Sequence, residues 1–76
     1  MKIKKAVGQL AGLAQQTRLR IFRILVKRGE EGLPAGKIGS LLGVPPLTLS
    51  VHLARLEQAG LLDSKRQQRQ IMYKIR

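Results

Sequence analysis

The chain has 76 residues, of which 15 are Lys or Arg and four are Asp or Glu, so its formal net charge is +11. This length excludes a second hydrophobic core, a hydrophobic fraction of 43% excludes a disordered polycation, and the lack of cysteine excludes disulfides and thiolate chemistry. No segment has the length and apolar character of an export signal or a membrane span, so we expect a single cytoplasmic domain over residues 1–76.

Two helices are predicted at the start of the chain. The first covers residues 3–14, where apolar residues recur at helical spacing: Ile3, Val7, Leu10 and Ala14. The second follows Gln15 and Gln16 and stops at Gly29, with one apolar face on Leu19, Phe22 and Val26 and with Ile21 and Leu25 beside it. Its opposite side is basic and forms either a solvated face or a contact with a nucleic-acid backbone, through Arg20, Arg23 and Lys27.

Residues 33–59 predict a helix-turn-helix. After a short strand at Leu33, Pro34 opens a third helix that runs to Leu42, and its inward face is Ile38, Leu41 and Leu42. Gly43 suits a left-handed helix end, and Pro45-Pro46 prevents the helix from continuing. A fourth helix over about 46–59 then buries Leu49, Leu53 and Leu56 and stops at Gly60.

The last residues predict a hairpin. Ile71, Tyr73 and Ile75 alternate with polar neighbours and predict a strand that pairs with residues 61–65. No Asn-Gly or Asp-Gly joins the two strands, so we expect a loose basic loop at 66–69. The fold class is mainly α with a small β-hairpin, a winged helix-turn-helix of order α-α-α-α-β-β.

The fourth helix carries the candidate DNA-binding face. With its leucines buried, a step of about 100° per residue turns Leu47 and Val51 outward, flanked by Thr48, Ser50 and Arg55. In a major groove, apolar side chains contact thymine methyls and hydroxyls bond base edges or phosphate. The alternative is that Leu47 and Val51 pack on the hairpin or on a partner chain.

The hairpin tip is the second candidate DNA contact. A projecting basic tip next to a helix-turn-helix favours contact with a phosphate or the minor groove, with a solvated loop as the alternative; its residues are Lys65, Arg66, Gln67, Gln68 and Arg69. His52, the single histidine, lies at the edge of the core face, where we expect a hydrogen-bonded structural role. No acid–base pair, nucleophile or metal-ligand set is evident, so we expect no enzyme, no metal and no cofactor.

Three segments resemble the ArsR-type winged-helix repressors: LAQQTRLRIFRIL at 13–25, LGVPPLTLSVHLARLEQAGLL at 42–62 and SKRQQRQIMYKI at 64–75. The resemblance implies a homodimer that binds a partly palindromic operator in double-stranded DNA, represses transcription and releases DNA with an inducer, often a metal or metalloid. It places the base-reading positions on Pro46, Leu47, Ser50 and Val51, with Thr48 close by. Three of those four residues are apolar, which weakens discrimination by hydrogen bonds.

The chain departs from these relatives in two ways. Pro34-Ala35-Gly36 stands where metal-sensing relatives carry cysteines, and the C-terminal helix that completes their dimer and supplies a second metal site is absent. We therefore expect a dimeric repressor without thiolate metal sensing. Its dimer interface is expected on the first helix, at Ile3, Val7 and Leu10. The sequence identifies no small-molecule inducer. The alternative function is a protein-interaction module whose Leu47 and Val51 dock an acidic partner.

Overall fold

The computed structural model describes residues 3–76, apart from the side chains of Ala6, Val7 and Leu10. The described residues are mainly helical with a small antiparallel sheet. In chain order the elements are α1 (Ile3–Arg28), a 3-10 turn (Gly29–Glu31), β1 (Leu33–Pro34), α2 (Ala35–Leu42), α3 (Pro46–Gln58), β2 (Leu62–Gln67) and β3 (Gln70–Ile75).

The two helices predicted for the start of the chain are one continuous helix, so the prediction of four helices is wrong. Gly8 and Gly12 lower helix propensity, but neither ends the helix. At the predicted boundary, the Thr17 hydroxyl donates a 3.0 Å hydrogen bond to the Leu13 carbonyl, a bond made from within a helix. Helix α1 therefore has 26 residues and extends for about 39 Å.

Helix α1 buries a different face from the one predicted. Ile21 and Leu25 are fully buried, whereas Leu19 and Val26 are 48% and 54% exposed. Apolar side chains cover a wide arc of this part of the helix, opposite Arg20 and Arg23, so the pattern alone does not decide which part of the arc is buried. The packing of α1 against α3 and β3 decides which side is covered.

The remaining core joins the helix-turn-helix to the sheet. The predicted stripe on α3 is confirmed, and the buried apolar residues outside α1 are Leu33, Ile38, Leu49, Leu53, Leu56 and Leu62. On α2, Ile38 is buried and Leu42 packs against the core, but Leu41 is 53% exposed, contrary to the prediction. No helix within residues 3–76 is long and apolar enough to cross a membrane.

The corner between α2 and α3 is tight. Gly43 ends α2 with a φ of 68° in the left-handed region, as predicted from its place before the double proline. The Val44 amide donates a 3.0 Å hydrogen bond to the Gly39 carbonyl. Pro45 is extended and Pro46 begins α3, so the two helices meet at a fixed angle.

The sheet has the strand order β1-β3-β2, with both pairings antiparallel. Leu33 lies opposite Tyr73, as the predicted short strand requires, and Leu62 lies opposite Ile75. The predicted loose loop is wrong, because Gln67 pairs with Gln70 and only two residues make the turn. Gln68 adopts a left-handed φ of 55°, a conformation that glycine or asparagine more often supplies.

Candidate nucleic-acid interface

Helix α3 exposes the face opposite its leucines. Leu49 and Leu53 are 3% and 1% exposed, whereas Leu47 and Val51 are 85% and 54% exposed. The other residues predicted to bind DNA from this helix are also exposed: Pro46, Thr48, Ser50 and Arg55. Residues 3–76 leave this face uncovered, which removes packing of Leu47 and Val51 on the hairpin as an alternative.

The two flanks of α3 face different elements. Ser50 lines a groove together with Ile71 of β3, so its flank faces the hairpin. Arg55 lines a separate groove together with Arg18 and Leu19 of α1, so its flank faces α1. The structure thus places Ser50 between the outer face of α3 and the hairpin, and Arg55 at the border with α1.

The residues predicted at the hairpin tip are all exposed: Lys65, Arg66, Gln67, Gln68 and Arg69. Alternation along β2 puts Arg66 on the same face of the sheet as buried Leu62, and Arg66 pairs with Ile71. Lys65 and Gln67 lie on the opposite face of the sheet. Arg66 is therefore the β2 cation on the side that faces α3.

A groove of about 560 Å³ connects α3 to the hairpin. Its walls include Pro46 and Ser50 of α3, Ser40 of α2 and Ile71 of β3. This groove therefore links the exposed side of α3 to strand β3 of the hairpin, but none of the predicted tip residues 65–69 lines it.

A neighbouring groove of about 790 Å³ adds residues that sequence reasoning missed. Lys37 and Ser40 from α2 line it together with Arg69 and Gln70 from the hairpin. Lys37 lies in the first turn of α2, where helix amides and a cation favour an anion. Pro34 predicted where this helix begins. Nothing in the sequence indicated that α2 lies next to the hairpin tip, because that placement depends on the fold.

The four carboxylates are all engaged within the chain. Glu30 forms a 2.9 Å ion pair with Lys74, which lowers the pKa of Glu30 and raises the pKa of Lys74. The other three acids contact residues on or near the sheet: Glu31 with Arg28, Asp63 with Arg76, and Glu57 with Ser64. None of these acids is paired with the cations of the candidate interface: Lys37, Arg55, Lys65, Arg66 and Arg69.

His52 does not play the hydrogen-bonded role that we expected. Its residue is only 7% exposed, and its Nδ1 has no hydrogen-bond partner among the described residues. Burial lowers the pKa of His52, and the charges of Arg18 and Arg55 lower it further. Within residues 3–76 no cluster of three or more potential metal ligands occurs.

The structure describes only part of the predicted dimer interface. Ile3 is 81% exposed, while the side chains of Val7 and Leu10 lie outside the described residues. Ile3 lies at the same helical angle on α1 as buried Ile21, a whole number of turns away. The apolar face that is covered near α3 thus extends to Ile3, where residues 3–76 leave it exposed.

Comparisons with known proteins agree with this geometry. A family model described as a helix-turn-helix domain matches residues 13–65. The HTH-type transcriptional regulator YgaV of Escherichia coli K12 is 33% identical over 73 residues, which cover 96% of this chain and 72% of that protein. The crystal structure of an E. coli protein described as a predicted DNA-binding transcriptional regulator matches with a TM-score of 0.69 and 30% identity, covering 97% of this chain and 80% of the other.

The matched residues include α2, α3 and the start of the hairpin, and the structural match covers nearly the whole fold. These similarities agree with the expectation that the chain is not an enzyme. The chain belongs to the ArsR-type family of helix-turn-helix proteins and is a DNA-binding transcriptional regulator.

Proposed function

We propose that the chain is a sequence-specific repressor that binds double-stranded DNA as a homodimer. The observation that carries this proposal is the outer face of α3, where Leu47 and Val51 are exposed beside a groove that leads to the hairpin. A helix of this width fits the major groove of B-DNA, and apolar side chains there select for thymine methyl groups. A dimer that covers two half-sites represses transcription by excluding other proteins from the same duplex.

The proposed contacts divide into two kinds. The base-reading residues are on α3: Pro46, Leu47, Thr48, Ser50 and Val51. The phosphate-binding residues surround them and fix the position of α3 without reading sequence; they are Arg55, Lys65, Arg66, Gln67, Gln68 and Arg69. We add Lys37 to this second set, because it shares a groove with Arg69.

The dimer proposal rests on the continuation of the apolar face of α1 to exposed Ile3. Val7 and Leu10 complete the dimer interface in this proposal. Pairing of two such helices places the recognition helices about 34 Å apart, one turn of duplex. None of the 76 residues is a cysteine, so the proposed repressor has no thiolate in this segment with which to sense a metal.

Selection of bound duplexes from a random pool tests sequence specificity. We expect a partly palindromic consensus with half-sites one helical turn apart, and tighter binding to it than to a scrambled duplex at equal salt. A pool that shows no enriched sequence would overturn the proposal of specific readout. Failure to bind any duplex, together with salt-sensitive binding to an acidic protein, would favour the protein-interaction alternative.

Sedimentation equilibrium tests the dimer. Ile3→Gln removes an exposed apolar side chain from the proposed dimer interface and should weaken self-association. Lys4→Gln is the matched control on the same helical turn and should not. A wild-type protein that is monomeric at the concentration that saturates its operator would exclude the dimer.

A further inference from the structure

A groove between α1 and α3 lies beside the proposed DNA interface and contains none of the proposed base-reading residues. It has a volume of about 560 Å³, within the range of small-molecule sites. Its apolar lining comes from both helices and from the residue before β2, namely Leu19, Phe22, Leu56 and Leu61.

The apolar lining reaches the surface. Leu19 and Leu61 are 48% and 44% exposed, and half-buried Phe22 lines the groove with them. Isolated exposed leucines are ordinary on protein surfaces, but several around one concave groove are typical of binding sites. The groove therefore offers a hydrocarbon surface within residues 3–76.

Two cations line the same groove. Arg18 comes from α1 and Arg55 comes from α3. All four carboxylates of the chain contact other residues, so neither arginine is paired with an acid. Guanidinium groups bind carboxylates through charge-assisted and often bidentate hydrogen bonds.

His52 lies on α3 three residues before Arg55, although it does not itself line the groove. It is more than nine-tenths buried on α3, and its Nδ1 lacks a hydrogen-bond partner among the described residues. The charges of Arg18 and Arg55 both reach its ring and disfavour its protonation. Both guanidinium groups of the groove therefore lie close enough to the His52 ring to affect its pKa.

We propose that this groove binds an amphipathic anion, a carboxylate with a medium-length unbranched hydrocarbon chain. The carboxylate lies against Arg18 and Arg55, and the hydrocarbon chain covers Leu19, Phe22 and Leu61. A second copy of the chain is a poorer occupant, because Lys4 and Lys5 of its exposed α1 end would bring positive charge toward the two arginines. This site goes beyond DNA binding and shares only Arg55 with the proposed phosphate contacts.

An NMR titration of the ¹⁵N-labelled full chain with decanoate, below its micelle concentration, tests the proposal. We expect saturable shifts of α1 and α3 amides around the groove. Decanol lacks the anion and acetate lacks the hydrocarbon chain, so both should bind much more weakly than decanoate.

Paired variants test the role of the arginines. The double variant Arg18→Gln/Arg55→Gln should bind decanoate about tenfold more weakly or worse, because both charged hydrogen bonds are lost. The matched control Arg20→Gln/Arg23→Gln removes the same charge from other, exposed positions on α1 and should bind like wild type. Far-UV circular dichroism confirms that each variant is folded.

Three results would overturn the proposal: no saturable shift, equal loss in the two double variants, or equal affinity for decanol and decanoate. Groove shifts that depend on protein concentration and ignore decanoate would assign the groove to a second copy and also overturn it. The titration contains no DNA, so its outcome is independent of the proposed repressor function.

Discussion

Ser64 on β2 donates a 3.0 Å hydrogen bond from its Oγ to Oε2 of Glu57 on α3. This bond joins the base of the hairpin to the recognition helix. The two residues lie away from the exposed face of α3, and neither is a proposed DNA contact. The bond therefore affects the orientation of the hairpin relative to α3.

A double-mutant cycle with Ser64→Ala and Glu57→Ala should show a favourable coupling of about 0.5–1 kcal/mol in the free energy of unfolding. The bond is exposed, which keeps its contribution at this modest level. Urea unfolding of the four proteins gives the coupling directly. Strictly additive effects would show that the bond does not hold the hairpin to α3 in solution.

Gly32→Ala should destabilise the fold severely. Gly32 has a φ of 65° and a ψ of −173°, a region that costs other residues about 1–3 kcal/mol. A Cβ at this position would also lie 2.5 Å from the Tyr73 carbonyl oxygen, so β3 would have to move.

Gly36→Ala is the matched control for this prediction. Gly36 lies in the first turn of α2, and a Cβ there would meet no atom within 4 Å. Alanine favours helix over glycine by up to about 1 kcal/mol, so this variant should equal or exceed wild-type stability. Equal effects of the two substitutions on the midpoint of thermal unfolding would contradict the assigned backbone geometry.

The stability of the chain should depend on pH through His52. Its pKa is lowered on folding from an ordinary value of 6.5, so the unfolded chain binds the proton more tightly. The free energy of unfolding should therefore be greatest above pH 6.5 and should fall as the pH falls below that value. Urea unfolding between pH 7.5 and pH 5 measures this dependence, above the range where most carboxylates titrate.

His52→Leu should remove most of this pH dependence, because His52 is the single histidine of the chain. The substitution keeps a buried side chain of similar size and removes the unpartnered Nδ1. A wild-type protein whose stability rises toward pH 5, or a variant with the same pH dependence as wild type, would contradict the lowered pKa.

Arg66→Ala and Arg69→Ala should each weaken binding to every duplex. Each proposed phosphate contact releases counterions, so each substitution should reduce the slope of log K against log salt concentration by about 0.9. Fluorescence anisotropy at several salt concentrations gives the slope. Lys4→Ala removes an equal charge from an exposed position of α1 and is the control; a slope that changes equally in all three variants would assign the effect to net charge.

The sequence alone predicted α3 well, for a physical reason. Leu49, Leu53 and Leu56 are the large apolar residues on one side of the helix, and proline and glycine mark where the helix begins and ends. Burial of one side determines the other, so the exposure of Leu47 and Val51 followed from spacing.

Helix α1 and the hairpin turn could not be predicted in the same way. Between Leu19 and Val26, apolar side chains cover a wide arc of α1, so the part of the arc that is buried depends on where α3 and β3 pack. The turn is short because antiparallel pairing extends to Gln67 and Gln70, which holds Gln68 in a left-handed conformation against its local preference. The groove that joins Lys37 to Arg69 likewise depends on long-range packing.

Base reading by α3 is tested most directly by two variants, Val51→Arg and Val26→Arg. The measurement compares the sequences that each variant selects from a random duplex pool. Both valines are 54% exposed and both variants gain one positive charge, but only Val51 lies on the proposed DNA-reading face. We predict that Val51→Arg changes the preferred base at a few defined positions of each half-site, while Val26→Arg selects the wild-type consensus. A wild-type consensus from Val51→Arg would contradict base reading by α3, and so would a loss of affinity that is equal on every duplex.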